Sequence, residues 1–530
     1  MTDKPIFDQP LAATLVHDEP PDVLQRITAN TSFFGQPGGL STLFFTEMWE
    51  RFSYYGIRPL LVLFMTAALA SGGFGFSREA ASSIVGIYAS SVYLASLPGG
   101  WIADRWLGLR RSIWWGGVLI ALGHLSIALS AVFAHQVFFL GLVLIVMGTG
   151  MLKPNISAIV GDLYPDGGAR RDSGFAIFYM GINAGALLAP LLTGSLSERF
   201  GWHWGFGAAG VGMVIGLITF RARAARTLGP IGAHPSGTPA QQVTVRNITM
   251  TSLAVAAILI VLAMIGVIPV NPVAIAQRMT FIIGGLALAY FVYLLGFAGL
   301  DAEEKKRTIV IAVLFIFSAL FWSAYEQAPT SLNLFANDFT DRTFLGRERP
   351  SVWLQSVTPV FVLLLSPVFA AVWSGLARRK IDLSSPAKFS FALFVTGLSF
   401  LVMVAATNRV ISGGGVGVKV SVMWLILTYF LQVVGELALS PVGMSTVTKL
   451  APHRFVGQMM GVWFMSIALG NLVAGLIGGH VDPEKLNEMP ALFQHTAYTL
   501  FIGAAILAAL VIPIRNMLAV QKQDDTTIAR

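Results

Sequence analysis

The stretch that decides the fold is Leu43–Met65, LFFTEMWERFSYYGIRPLLVLFM. It is long enough and apolar enough to cross a bilayer, yet it contains Glu47, Glu50, Arg51 and Arg58. Each ionisable side chain near the bilayer centre costs at least ~2.5–3.5 kcal/mol on insertion scales. A helix that accepts this cost several times usually lines a polar pathway, so the stretch indicates a transporter.

The composition of the chain predicts an all-α integral membrane protein. Of its 530 residues, 55% are hydrophobic and only 12% are charged, whereas a soluble domain carries about 25% charged residues. The net charge of +8 fits loop arginines and lysines that face anionic membrane lipid, and we expect no nucleic-acid partner. The chain has no cysteine, so no disulfide framework is expected.

Apolar runs of about 20 residues predict fourteen membrane-spanning helices in a six, two, six arrangement. We place them at about 40–69, 80–104, 112–134, 136–160, 172–197, 203–221, 248–268, 279–299, 308–336, 353–376, 388–407, 420–449, 456–479 and 495–516. The two extra spans in the middle contain no charged residue, which predicts a structural insertion that faces lipid. The predicted domains are an N-terminal tail (1–38), a six-helix bundle (39–222), a linker with the two extra helices (223–307), a second six-helix bundle (308–516) and a C-terminal tail (517–530).

The distribution of positive charge predicts the orientation. One set of loops carries more than twice as many lysine and arginine residues as the opposite set, and this set is expected to be cytoplasmic. Both tails are then cytoplasmic, and residues 1–38 also lack the short apolar region of a signal peptide. Two bundles of six helices are typical of transporters that bind their substrate at the midplane.

The four ionisable residues of the first span share one broad helical face, because their offsets are 0, 3, 4 and 11 at 100° per residue. Arg51 can pair with Glu47 one turn away, so Glu50 and Arg58 are expected to find partners on other helices. A structural ion-pair cluster that locks the bundle is the alternative to a polar pathway.

Three motifs in this order point to one family: EMWERFSYY at 47–55, GTGMLKPN at 148–155 and FYMGINAG at 178–185. They resemble the E-x-x-E-R-F-x-Y-Y, G-x-G-x-x-K-P-N and F-Y-x-x-I-N-x-G segments of the proton-dependent oligopeptide transporters. The loop GWIADRWLGLRR at 100–111 is similar to a signature of the major facilitator superfamily. The resemblance covers roughly residues 40–515, and it implies the major facilitator fold and a bacterial member with two extra helices.

Lys153 is the only lysine in the first six predicted spans. A buried ammonium needs a partner, and the candidates are Glu47, Glu50 and Glu326. The alternative is a lysine that extends along the lipid to reach water, although its position near the middle of a span beside Pro154 argues against this.

In the second bundle, Glu326 lies in FWSAYEQAP at 321–329 and Glu436 in VGELALSP at 434–441. Each glutamate neighbours a proline or glycine that we expect to break its helix, and such breaks are tolerated where they line a cavity. Trp322 and Trp463 either form walls of that cavity or pack as ordinary core aromatics.

The charges suggest a zwitterionic substrate, because the first bundle supplies cations and the second supplies Glu436. The resemblance implies that a peptide carboxyl group faces Arg51, Arg58 and Lys153, while its amino group faces Glu436 and Asn183. The remaining expected substrate-binding residues are polar or aromatic: Tyr54, Tyr55, Tyr93, Trp322, Glu326, Ser440 and Trp463. We therefore predict a carrier that imports di- and tripeptides.

A proton gradient is the expected energy source. ATP hydrolysis by this chain is excluded because the sequence has no nucleotide-binding G-x-x-x-x-G-K-[ST] motif. We expect no cofactor and no metal. In the predicted cycle, protonation of Glu326 weakens its pair with Lys153 or Arg58, and the peptide carboxylate replaces it. Glu47, Glu50, Arg51 and Lys153 are the other candidate coupling residues. His124 stands alone on an apolar face and is predicted to be a packing residue rather than a proton relay.

Other functions fit the sequence less well. Carriers of nitrate or other small anions often depart from the E-x-x-E-R motif, which is complete here, and Glu436 would repel an anion. A drug or sugar carrier of the broader superfamily is a second alternative. An enzyme would need a nucleophile–base or metal constellation, but the eight histidines are scattered. Mixed charges suit alternating access better than a channel. We predict a monomer in a bacterial inner membrane.

Overall fold

The computed structural model describes residues 21–133, 135–379 and 383–519. Parts of the predicted tails, 1–20 and 520–530, and the predicted end of the third span at residue 134 lie outside these ranges. The described residues form sixteen α-helices: α1 Pro21–Ala29, α2 Gly38–Thr66, α3 Arg78–Ile102, α4 Leu109–Leu129, α5 Gln136–Asp162, α6 Gly168–Phe200, α7 Trp202–Leu228, α8 Pro239–Met264, α9 Pro272–Gly296, α10 Ala302–Tyr325, α11 Asn333–Phe339, α12 Val357–Arg378, α13 Ser385–Ser412, α14 Met423–Leu450, α15 Val456–Gly478 and α16 Met489–Ala519.

Within the described residues, thirteen helical stretches are long and apolar enough to cross a membrane. Helix α2 is not among them, although its 29 residues would suffice in length. Its four ionisable side chains exceed the charge that such a stretch normally tolerates. The predicted total of fourteen spans is consistent with these helices, with α2 as the first span.

The described residues divide into two units. The first comprises those within Met1–Leu60 and Ser91–Val270, and the second those within Leu61–Ser90 and Asn271–Arg530. In the first unit, α4 and α5 approach each other at Gly123 and Gly141. A Cβ atom on Gly123 would lie 2.7 Å from the carbonyl oxygen of Gly141, so only glycine permits this backbone contact.

In the second unit, α13 packs against α14 and α16, and α10 packs against α15. Two short strand pairs lie beside these helices. Strand β1 (Thr340–Asp341) pairs in parallel with β4 (Val420–Ser421), with Thr340 opposite Val420, and β2 (Thr343–Phe344) pairs antiparallel with β3 (Arg347–Glu348).

The two extra helices begin earlier than predicted because each has an N-terminal cap. Thr238 Oγ1 accepts a hydrogen bond from the amide of Gln241, whose side chain in turn accepts from the Thr238 amide. Asn271 Oδ1 caps α9 by accepting from the Ala274 amide at 3.0 Å. Helix α8 buries only Val245, as a lipid-facing helix would, but α9 packs against α15, so the prediction that both face lipid was too simple.

The predicted span 308–336 is interrupted. Helix α10 ends at Tyr325, and a wide π-helical turn at Ala328–Leu332 precedes α11. The break predicted beside Glu436 is wrong, because α14 passes through Pro441 without interruption. Membrane helices tolerate an internal proline where neighbouring groups satisfy the backbone that it frees.

Candidate functional site

The polar face of α2 is an ion-pair cluster in the first unit. Glu47, Glu50 and Arg51 are each at most 3% exposed. Arg51 Nε lies 3.2 Å from Glu47 Oε1, and the same guanidinium also hydrogen-bonds Glu50. The expectation that Glu50 needs a partner on another helix is therefore wrong, because the forked guanidinium reaches both carboxylates.

The backbone of α2 is held close to α6 at Gly185. A Cβ atom at this position would lie 2.2 Å from the carbonyl oxygen of Met48 and 3.1 Å from Cβ of Arg51. A glycine is thus required where α6 supports the ion-pair cluster. Two residues earlier on α6, Asn183 is buried, and its Nδ2 donates to the carbonyl oxygen of Tyr179 at 2.9 Å.

Both arginines of α2 contact a tyrosine ring. The Cζ atoms of Arg51 and Arg58 lie 5.2 and 5.8 Å from the ring centroid of Tyr54, which packs edge-on against Tyr55. These separations are typical of cation–π contacts. The structure thus brings two predicted arginines and two predicted tyrosines together along α2.

Lys153 on α5 joins the same polar region. Its Nζ lies 4.4 Å from the ring centroid of Tyr93 on α3. Lys153 also attracts Glu47 electrostatically. Glu47, one of the three carboxylates predicted as partners of Lys153, thus interacts with it.

A second polar cluster lies in the second unit around Glu436. The hydroxyl of Tyr325 donates to Glu436 Oε2 at 2.5 Å, and the ring of Trp322 packs edge-on against Tyr325 at 5.4 Å. Glu326, which follows Tyr325 and is 7% exposed, repels Glu436 electrostatically. The sequence placed both glutamates correctly in one bundle but did not identify Tyr325, whose only signal was its position beside Glu326.

Trp463 is tightly packed within the second unit. Trp463 is 3% exposed and packs against Phe389 and Gly443, where an added Cβ would meet its ring at 2.3 Å. This is the packing of a core aromatic.

The wide turn after Glu326 is supported from a distant part of the chain. Gln355 Nε2 donates to the Ala328 carbonyl oxygen at 2.9 Å and so satisfies this backbone acceptor. Nothing in the sequence marks Gln355 for this role.

Ser440 and His124 belong to different units and differ in their exposure. Ser440 is half-buried on α14, one turn after Glu436. His124 is buried on α4, and its Nε2 lies 2.5 Å from the Ser53 hydroxyl of α2. Gly210 of α7 packs against the Cβ of His124, which agrees with the predicted packing role.

Comparison with known proteins places this chain in a family. The POT family profile matches residues 110–491. The chain is 50% identical over 494 residues to the peptide transporter YePEPT of Yersinia enterocolitica. This match covers 92% of this chain and 96% of that protein. It is 39% identical over 445 residues to a di-/tripeptide transporter of Lactococcus lactis subsp. cremoris, covering 82% of this chain and 88% of the relative.

The fold is also shared with a solved structure. The crystal structure of peptide transporter POT in complex with sulfate superposes with a TM-score of 0.85 at 38% identity, covering 93% of this chain and 99% of that one. The all-α membrane fold predicted from the sequence is therefore confirmed. The chain is a transporter rather than an enzyme, and it belongs to the POT family of multi-pass membrane proteins.

Proposed function

We propose that the chain is a proton-coupled symporter that imports di- and tripeptides by alternating access across a bacterial inner membrane. The observation that carries this proposal is the buried cluster of Glu47, Glu50 and Arg51 together with Lys153. Such a concentration of charge in membrane-length helices is expensive and is typical of an ion or substrate pathway. Two of the similar proteins are named as peptide transporters, one of them for di- and tripeptides.

The two ends of a peptide match different parts of the chain. Arg51, Arg58 and Lys153 bind the peptide carboxylate, for which a guanidinium is a strong and directional partner. Glu436 and Asn183 bind the amino group. Support for this assignment comes from Tyr325, whose hydrogen bond fixes the orientation of the Glu436 carboxylate in the second unit. The remaining lining residues are Tyr54, Tyr55, Tyr93, Trp322 and Ser440, whereas Trp463 packs as a core aromatic.

Coupling centres on Glu326. In the proposed cycle, protonation of Glu326 releases Lys153 or Arg58, the peptide carboxylate takes its place, and inward release of proton and peptide restores the pair. The repulsion between Glu326 and Glu436 supports this role, because neutralising one carboxylate removes it. Glu47 and Glu50 are the second candidate proton sites. The carrier works as a monomer without a cofactor, and both termini are cytoplasmic.

The test is uptake of labelled dialanine into proteoliposomes under an imposed inward proton gradient. Wild type is compared with Glu326→Gln and with the matched control Glu484→Gln, which neutralises an exposed carboxylate of the same unit. Counterflow exchange without a gradient is measured in parallel, because it needs binding and alternation but not coupling.

We expect wild-type uptake to rise with the gradient and to collapse when a protonophore is added. Glu326→Gln should keep counterflow and lose gradient-driven uptake, while Glu484→Gln should behave as wild type. Absence of dialanine uptake by the wild type would refute the substrate, and nitrate would then be tested in the same vesicles. Gradient-driven uptake by Glu326→Gln at the wild-type rate would refute the role of Glu326 in coupling.

A further inference from the structure

A cavity of about 450 Å³ lies between α4, α7 and the segment that follows α7, all within the first unit. Its polar wall consists of His234 and of three arginines, Arg110, Arg111 and Arg221. The two arginines of α4 close the GWIADRWLGLRR loop motif, for which the transport cycle proposed above has no role. The described part of the chain contributes no acidic residue to the lining of this cavity.

The positive charge of the cavity has no acidic partner among the residues that the structure describes. Arg111 and Arg221 are exposed and form no ion pair with any residue in the described ranges. Arg110 is held in place because its Nη1 donates to the Gly229 carbonyl oxygen at 2.6 Å, and its backbone amide donates to Gly232 at 2.9 Å. Guanidinium groups without a carboxylate partner attract an external anion.

The rest of the cavity lining is apolar. This apolar wall consists of Trp114, Phe220 and three alanines. Because the cavity lies at the start of α4 and the end of α7, its polar and apolar walls meet where a membrane helix leaves the hydrocarbon. A tryptophan at this level is typical of the membrane interface.

We propose that this cavity binds the phosphate-bearing headgroup of an acidic phospholipid. The three guanidinium groups contact the phosphate, for which their planar donors are well suited. The apolar wall contacts the glycerol backbone and the first part of an acyl chain. A free phosphate ion has no apolar part that could contact this wall, so the lining favours a lipid over a soluble anion. Basic pockets between membrane helices are known to select anionic headgroups.

Native mass spectrometry of the full-length protein in detergent, with phosphatidylglycerol or phosphatidylcholine added, tests the proposal. The variant is Arg111→Gln/Arg221→Gln, and the matched control is Arg246→Gln, an exposed arginine of α8 in the same unit without an ion pair to any described residue. Wild type and control should bind phosphatidylglycerol in preference to phosphatidylcholine. The double variant should bind it about 25-fold more weakly, at about fivefold for each arginine.

Melting curves with and without each lipid form a second readout, which also shows that the double variant is folded. Phosphatidylglycerol should raise the melting temperature of the wild type and of Arg246→Gln but not that of the double variant. Undiminished phosphatidylglycerol binding by the double variant, or an equal loss in Arg246→Gln, would overturn the site. Equal stabilisation by inorganic phosphate alone, lost in the double variant, would overturn the lipid in favour of a free anion.

Discussion

Gly185→Ala tests whether the close contact between α2 and α6 holds the ion-pair cluster in place. The new methyl group would lie 2.2 Å from the Met48 carbonyl oxygen and 2.9 Å from the Phe52 amide nitrogen. Both neighbours are backbone atoms, so neither can rotate away as a side chain would. The two helices must instead separate by about 1 Å, because overlap of this size is relieved only by backbone movement.

The expected magnitude follows from two opposing effects. Overpacking of this kind costs about 1–3 kcal/mol, and a backbone obstacle places it near the upper end. Alanine gains about 1 kcal/mol over glycine within a helix. The free energy of unfolding should therefore fall by about 2 kcal/mol. Since Arg51 Cβ lies 3.1 Å from the added methyl, the shift also displaces the cluster, and dialanine uptake should fall about tenfold, as a binding loss of 1.4 kcal/mol would cause.

Thermal unfolding in detergent and uptake in proteoliposomes measure these two effects. The matched control is Gly207→Ala on α7, where an added Cβ meets no atom within 4 Å. The control should match or exceed wild-type stability, by up to about 1 kcal/mol, and transport normally. If Gly185→Ala were as stable and as active as Gly207→Ala, the role assigned to this contact would be refuted.

Three further substitutions test individual contacts. Tyr325→Phe removes the 2.5 Å hydrogen bond to Glu436. The KM for dialanine should rise about tenfold in an uptake assay, since hydrogen bonds to charged groups contribute roughly 1.5–3 kcal/mol. An unchanged KM would contradict this role. Ser53→Ala leaves buried His124 Nε2 without its hydroxyl partner, so the free energy of unfolding should fall by about 1–3 kcal/mol in thermal melts, and wild-type stability would show that the bond is dispensable. Arg78→Gln removes a partly buried 2.7 Å ion pair to the aspartate at the end of α11, so the melting temperature should fall. A melting temperature equal to that of wild type would show that this pair does not stabilise the second unit.

The course of the spans was predictable because a bilayer imposes a minimum apolar length on each helix. The predicted spans were wrong at helix ends whose positions are set by local hydrogen bonds. Helix α8 begins nine residues before the predicted 248 because the capping box at Thr238 starts it, and this signature was readable in the sequence. The interruption after Tyr325 was only partly signalled by Pro329, since the wide turn also needs Gln355 from a distant part of the chain.

The site residues were predictable in kind, but their pairing was only partly predictable. Ionisable residues inside apolar helices are conspicuous in any sequence, so Glu47, Glu50 and Arg51 could be selected without a structure. The predicted pair of Arg51 with Glu47 one turn away is confirmed, whereas its pair with the adjacent Glu50 was not foreseen, because it depends on the reach of the long arginine side chain. The Tyr325 bond to Glu436 joins helices more than 100 residues apart in the chain, a contact that periodicity within one helix does not reveal.

The central claim is that peptide and proton move together. The most direct measurement is the internal pH of proteoliposomes, read from an enclosed pH-sensitive dye, when dialanine is added outside with the membrane potential clamped at zero. The account predicts immediate acidification of the interior that requires dialanine and the wild-type protein and is absent in Glu326→Gln. Uptake of labelled dialanine into the same vesicles without any change in internal pH would contradict proton coupling.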